Sequence, residues 1–543
     1  MGAATGLTVW VLEVVVVALV NADVGGTAVL VELARPLSRW GLVYVGLGAV
    51  FGAASGPRFA LAGLPWVALA LWADRSIAPV GLYLLLVGIG ALLGPLWGLR
   101  RGARWVLIPA TLLLLLVARP RASMPAGDAT QDRPDVVLIV IDTLRRDHVG
   151  AYGYARDTTP VLDALATTAR QYTRARSTAS WTLPAHASLF TGRTPSEHGA
   201  TAANPVLSPQ PTLASHFADR GYRTVGLSTN GWVSGGTGLD QGFETFRFTG
   251  DDGVASQLLL ALALTRPVDL GGSATTAGAL EALAQPGPVF LFLNYLEAHE
   301  PLGTLPHDDL HAFSDTPLDP TLGRVWIRDM ARFWCACDGP AGELGCKDGH
   351  PVAPAARIRG SIDRYDAGIR YVDAQIGHVL EALDDDTILV ITSDHGELLG
   401  EYDGRLGHMV TLEPELIDVP LFLRAPGIPP GLDDTPISLA DVPSLLLALA
   451  DGKPLPTRDP WVVSESHPHQ PAVVRTWETL FGCDCSPTQV HRRAVWNGVS
   501  EHRLSDPASP APEAASLLTA PFADGTDAVP DNVQALEALG YVQ

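Results

Sequence analysis

Four apolar runs of strand length constrain this chain more than any other feature. They are "DVVLIVIDT" (135–143), "YRTVGLST" (222–229), "PVFLFLNYLEAH" (288–299) and "DTILVITSDHGE" (386–397). A strand that is apolar on both faces belongs in a parallel sheet covered on both sides. Helical stretches such as "TTPVLDALATTARQY" (158–172) and "YDAGIRYVDAQIGHVLEAL" (365–383) lie between the runs. The alternation predicts an α/β fold, a mostly parallel sheet flanked by helices. Such sheets bind ligands at the carboxyl ends of their strands. Three of the runs end in side chains suited to chemistry: Asp142, His299, and the adjacent pair Asp394–His395.

A different pattern precedes this region. Residues 7–118 are apolar runs divided by short Arg-bearing loops, from "LTVWVLEVVVVALV" (7–20) to "WVLIPATLLLLLVA" (105–118). Spans need roughly 20 apolar residues, so four or five transmembrane helices are expected here. Glu13 and Asp23, within the first apolar region, are expected to face other helices or an interface. "LRRGAR" (99–104) is the best cytoplasmic loop, which places residue 119 onward outside, although Arg119 and Arg121 count the other way. Residues 119–134 read as a Pro/Ala/Asp-rich linker, 135–451 as the catalytic domain and 452–543 as a smaller C-terminal unit. The five cysteines (335, 337, 346, 483 and 485) suit disulfides in an oxidising compartment, with one left over. The formal net charge of -21 argues against a nucleic-acid partner.

An Asp at a strand end is often only a helix N-cap, and Asp142 alone would be read so. The pair in "SDHGE" (393–397) is more specific, because both side chains can reach one metal ion. Thr182, in "SWTLPAHASLFTG" (180–192), reads as a loop residue with Pro184 fixing the backbone after it. A Thr hydroxyl is a poor nucleophile until a metal or base activates it. A divalent ion held by Asp142, Asp394 and His395, and bound also by the Thr182 oxygen, would do so.

"RPDVVLIVIDTLRRDHVGAYGY" (133–154), "TLPAHASLFTGRTPSEHG" (182–199), "NYLEAHEPL" (294–302) and "SDHGELLGEYDGRLGHMVTLEPELIDVPLFLRAPG" (393–427) occur in that order. Together they resemble the sulfatase family of the alkaline phosphatase superfamily, over about residues 134–543. "GFETF" (242–246) and "LEALGYV" (536–542) look like features of its bacterial members. The resemblance implies an alkaline-phosphatase-like fold and puts Thr182 where sulfatases carry the Cys or Ser that becomes formylglycine. Thr cannot yield that aldehyde, so no formylglycine is expected. Phospho-headgroup transferases of the superfamily use an unmodified Thr at the matching place, which implies plain alkoxide attack here.

His186 replaces the Arg of the C/S-x-P-x-R signature and is expected to take part of its anion-contacting role. Thr143 stands for a second Asp, and His395 for an Asn. Losing a carboxylate and gaining an imidazole favours Zn²⁺ or Mn²⁺ over Ca²⁺. His299 and His408 resemble the histidines that hold the substrate anion or protonate the leaving oxygen. Arg145 is expected either to reach the anion or to be an exposed helix Arg. His198 is expected to be structural. The implied protein is a membrane-anchored, extracytoplasmic hydrolase of sulfate or phosphate esters carried on a glycan, lipid or small molecule. Two alternatives stand beside it: a phosphoethanolamine-type headgroup transferase, and a pseudoenzyme that binds anionic glycans. Retention of Asp142, Asp394, His395, His299 and His408 together argues against the second.

Overall fold

An eight-stranded sheet carries the site. Its strands are β1 (Val136–Ile141), β2 (Arg170–Tyr172), β3 (Arg223–Ser228), β4 (Thr245–Phe248), β5 (Val289–Tyr295), β6 (Ile388–Thr392), β7 (Leu421–Arg424) and β8 (Gly431–Asp433). Their order across the sheet is β8-β2-β7-β6-β1-β5-β3-β4. This computed structural model describes residues 133–250, 269–299, 309, 311–314, 345–347, 350–352, 355–404, 406–409, 411–469, 491–503 and 517. The expected spans (7–118), nearly all of the linker, and Cys335, Cys337, Cys483 and Cys485 lie outside the described residues. Among the described residues no helix is long and apolar enough to cross a membrane.

The predicted mostly parallel sheet is present. The central strand β1 pairs in parallel with β5 and β6, and Val136 lies opposite both Phe290 and Ile388. Only β7 runs against its neighbours β6 and β2. Every residue of β1 is buried, as its unbroken apolar run requires. The aligned register brings the carboxyl ends of β1, β5 and β6 level, so the residues after Ile141, Tyr295 and Thr392 meet at one edge.

The flanking helices include α1 (Pro160–Ala166), α2 (Thr182–Thr191), α3 (Pro195–His198), α4 (Gly272–Leu283) and α5 (Ala355–Leu380). Thr182 opens α2 rather than lying in a loop, which corrects the reading of Pro184. A proline in the first turn of a helix lacks only an amide that has no intrahelical partner anyway. Gly192 ends α2 in the left-handed region, φ 69°, which favours glycine. Thr182 to Phe190 are all buried.

Three antiparallel strands of the C-terminal region, β9 (Val462–Ser466), β10 (Arg492–Trp496) and β11 (Glu501–Arg503), form a separate small sheet. It docks beside α2 through backbone and side chain. The Glu465 amide donates to Thr178 O at 2.7 Å, and Ser464 Oγ to Ser177 O at 2.6 Å. The buried Glu465 carboxylate accepts from the Ser196 amide (2.7 Å), Ser196 Oγ (2.8 Å) and Arg493 Nε (2.6 Å). Burial opposes its charge, yet the neighbouring His467, 3.6 Å away, and the Arg493 guanidinium bring its pKa down to about 2. Removing one partner of a buried pair leaves the other charge uncompensated. Arg493→Ala is therefore expected to lower unfolding stability by about 3–5 kcal/mol, measured by denaturant titration of the purified protein.

Candidate active site

Asp142 is the first residue beyond β1, and its amide donates to Tyr295 O at 2.8 Å. It caps no helix; the short helical turn that follows is capped by Arg145. Asp142 Oδ2 accepts from Asn230 Nδ2 at 2.8 Å and, at the long distance of 3.5 Å, from Asn294 Nδ2. Its Oδ1 is buried with no hydrogen-bond partner. Thr143 then turns the chain at φ 58°, a conformation rare for a β-branched residue. Four contacts hold it there. Its amide donates to Asp394 Oδ1 (3.1 Å), its hydroxyl lies 2.7 Å from Asp142 O and 3.0 Å from Ala298 O, and its carbonyl accepts from Tyr365 Oη (2.6 Å). Strained backbone of this kind costs about 1–3 kcal/mol and persists where surrounding contacts fix it.

Asp394 follows β6 by two residues. Its Oδ1 accepts from the amides of Thr143 and His395 (2.8 Å). Its Oδ2, like Asp142 Oδ1, is buried with no hydrogen-bond partner. His395 Nδ1 lies 2.8 Å from Gly396 O, and a carbonyl can only accept, so that nitrogen carries the proton. Nε2 is left with a lone pair, 3.2 Å from Thr182 Oγ1 and 3.4 Å from Asp394 Oδ2. Burial holds the imidazole well below its usual pKa, so it is neutral.

Asp142, Asp394 and His395 can place one ligand atom each within 4.8 Å of one another, and among the described residues no other set of three such donors does so. Burial pushes both carboxyls up to about 7, with Asp394 adding to the effect on Asp142 and backbone donors opposing it on Asp394. Two unpartnered carboxylate oxygens and an imidazole lone pair in one buried place fit a divalent cation. A set of two carboxylates and one imidazole suits zinc or manganese.

His186 is one helical turn past Thr182. Its ring is fully buried, edge-on to Phe190 and Phe292. Nδ1 donates to Thr182 O at 2.9 Å, and Nε2 accepts from Asn294 Nδ2 at 3.4 Å. The expectation that His186 contacts the anion is corrected: both ring nitrogens are taken up inside the protein, the ring ties the helix that bears Thr182 to β5, and Nδ1 lies 3.4 Å from Asp394 Oδ2. Arg145 is corrected too. It is neither exposed nor aimed at an anion, because Asp147 (2.9 and 2.8 Å), Glu401 (2.7 Å) and Glu397 O (3.0 Å) take up its guanidinium.

His299 and His408 do come to the site. Their ring centroids are 5.0 Å apart, and His408 is 4.6 Å from His395. His408 Nδ1 lies 3.1 and 3.2 Å from the two oxygens of Glu397, a buried carboxyl that burial pushes up to about 8. His198 accepts from the Ala200 amide and holds Ser188 Oγ and Pro184 O within 3.2 Å, pinning α2 in the structural role expected of it. Asn230, Asn294 and Glu397 were not foreseen. The one visible signal was Asn294, a lone amide inside an otherwise apolar run.

The family model for sulfatases matches residues 134–452, more than half of the chain. The chain belongs to the sulfatase family. It is 26% identical over 355 residues to the uncharacterized sulfatase YidJ of Escherichia coli (strain K12), covering 59% of this chain and 68% of that one. It is 26% identical over 369 residues to the iduronate 2-sulfatase of Mus musculus, covering 60% of this chain and 65%, under two thirds, of the mouse protein. Among solved structures it resembles the phosphonate monoester hydrolase of Agrobacterium radiobacter at TM-score 0.51 and 21% identity, over 68% of this chain and 87% of that one. That likeness is one of fold. Sulfatase-family enzymes use a divalent metal, and Asp142, Asp394 and His395 form a possible site for it here.

A pH dependence follows for the metal-free protein. Asp142 and Asp394 ionise at about 7 when folded but near 3.9 when unfolded. A raised carboxyl leaves stability intact below its unfolded pKa and removes it as pH climbs to the folded pKa. Chelator-treated protein should therefore lose on the order of a few kcal/mol between pH 4 and pH 7. Asp142→Asn should lose less and melt at a higher temperature than wild type at pH 8, which thermal melts in chelator will check.

Proposed function

We propose that this chain is a metal-dependent hydrolase of sulfate or phosphate esters with Thr182 as its nucleophile. One observation carries the reading: Thr182 Oγ1 lies 3.2 Å from His395 Nε2, in a buried group that holds two unpartnered carboxylate oxygens. Asp142, Asp394 and His395 would hold the ion, with Thr182 adjacent, and zinc or manganese suits them better than calcium. When bound, a divalent ion supplies positive charge that makes a nearby hydroxyl more acidic and offsets charge on an ester's oxygens.

The protein's own groups do the rest. The first turn of α2 fixes Thr182, and His186 holds that turn through its carbonyl. Thr182 gives up its hydroxyl proton to solvent, and its oxygen bonds to sulfur or phosphorus as the bond to the ester oxygen breaks. His299 or His408, which lie against each other with His408 also against His395, gives the leaving oxygen its proton. Water then breaks the bond to Thr182 and restores the hydroxyl. No formylglycine is needed. We place the catalytic domain outside the cytoplasm, anchored by 7–118, and its substrate on a glycan, lipid or small molecule. Water as acceptor gives hydrolysis; a glycan or lipid hydroxyl would give headgroup transfer, and the product distinguishes the two.

Thr182→Ala is expected to lower kcat by about a thousand-fold or more, as loss of other activated nucleophiles does. Thr182→Ser should stay within about ten-fold of wild type, because the hydroxyl survives. Rates on a panel of sulfate and phosphate esters, at matched metal content, decide it. Equal rates for wild type and Thr182→Ala would remove Thr182 from the chemistry.

A further inference from the structure

A second buried carboxyl lies close to the site without belonging to it. Glu297 is in the turn between β5 and His299 and is 3% exposed. Its Oε1 accepts from the Gly272 amide, the first residue of α4, at 2.6 Å. Its Oε2 accepts from the Leu296 amide at 3.2 Å. The backbone of the same turn is closely packed. His299 N donates to Leu296 O at 2.8 Å, and Thr143 Oγ1 lies 3.0 Å from Ala298 O. On the other side α5 passes so near that a Cβ on Gly368 would sit 2.1 Å from Glu297 O. Apart from the two made by the Glu297 carboxyl, every contact in this set is made by the backbone of the turn with its neighbours. Glu297 is the turn's own side-chain tie to α4.

We propose that Glu297 is a positioning residue for His299: its carboxyl fastens the Leu296–His299 turn to the first turn of α4. The geometry explains why Gly272 opens that helix, since a Cβ there would lie 2.5 Å from Glu297 Oε1. The carboxyl is also a costly choice for the task. Burial and the charge of Asp269, which holds the same helix end through Gly271 and Ser273, push it up to about 7. Tyr295 and Tyr371, whose hydroxyl donates to Asp269, face it from β5 and α5. A residue that only filled space would not need to be acidic there.

The proposal rests on the hydrolase reading in which His299 acts on the ester. Its test is a double-mutant cycle in the full-length, metal-loaded protein. Glu297→Leu, which removes both acceptor oxygens, should lower kcat/KM about ten- to a hundred-fold in the wild-type background and less than two-fold beside His299→Ala, because residues acting as one unit are not additive. Gly272→Ala, which displaces the carboxyl from the opposite side, should show the same dependence on His299. An equal loss in both backgrounds, or no loss in either, would overturn the proposal.

A second readout needs no turnover. Unfolded Glu titrates near 4.5, so wild type should lose stability relative to Glu297→Gln as pH rises from 4.5 to 7, by roughly 80-fold in the folding equilibrium. Parallel melting curves would refute the buried tie. If no ester is turned over by wild type while the curves diverge as stated, the hydrolase reading fails and the tie stands.

Discussion

Two carboxylates buried side by side are the constraint on which this structure turns. Asp142 and Asp394 lie at the ends of neighbouring parallel strands, both fully buried, each with one oxygen that no protein group satisfies. Uncompensated burial of such groups is expensive. The protein donors around them point only at the other two oxygens, through Asn230, Asn294 and the amides of Thr143 and His395. His395 then turns a lone pair toward the same place. A cation resolves all three demands at once.

The rest of the fold serves to keep that arrangement fixed. The level ends of β1, β5 and β6 set the spacing of Asp142, His299 and Asp394, and the strained Thr143 links two of the strands through a single amide. The helix bearing Thr182 is held from three sides. His186 ties it to β5, His198 braces its second turn, and the Glu465–Arg493 pair fastens α3 and the C-terminal sheet beside it. The nucleophile role proposed for Thr182 would depend on placement within a few tenths of an ångström, and these ties are neutral or internally compensated, so they add no net charge to the site.

The strand ends were legible because burial on both faces leaves an unmistakable apolar run. The polar residue that terminates such a run can only lie at the sheet's edge, as Asp142, His299 and Asp394 do. What lay beyond reach was the direction of side chains on helices and turns. His186 sits at the helical spacing from Thr182, which tells that they share a face but not that the face is inside. Two of the Arg145 partners, Glu397 and Glu401, are more than 250 residues away in sequence, and nothing local showed that Asp147, two residues on, would turn back onto the guanidinium. Pro184 misled toward a loop because proline permits a first helical turn as readily as it breaks a later one. Glu297 carried no local pattern, since its partner is a backbone amide on another helix.

The most direct test is elemental analysis of the purified full-length protein, loaded with zinc or manganese and then dialysed. The account predicts one tightly held divalent ion per chain, kept in Thr182→Ala and lost in Asp394→Asn, with both variants folded. A folded wild-type protein that retains no divalent ion would contradict it, because two buried carboxylates would then stand together with nothing to hold them there.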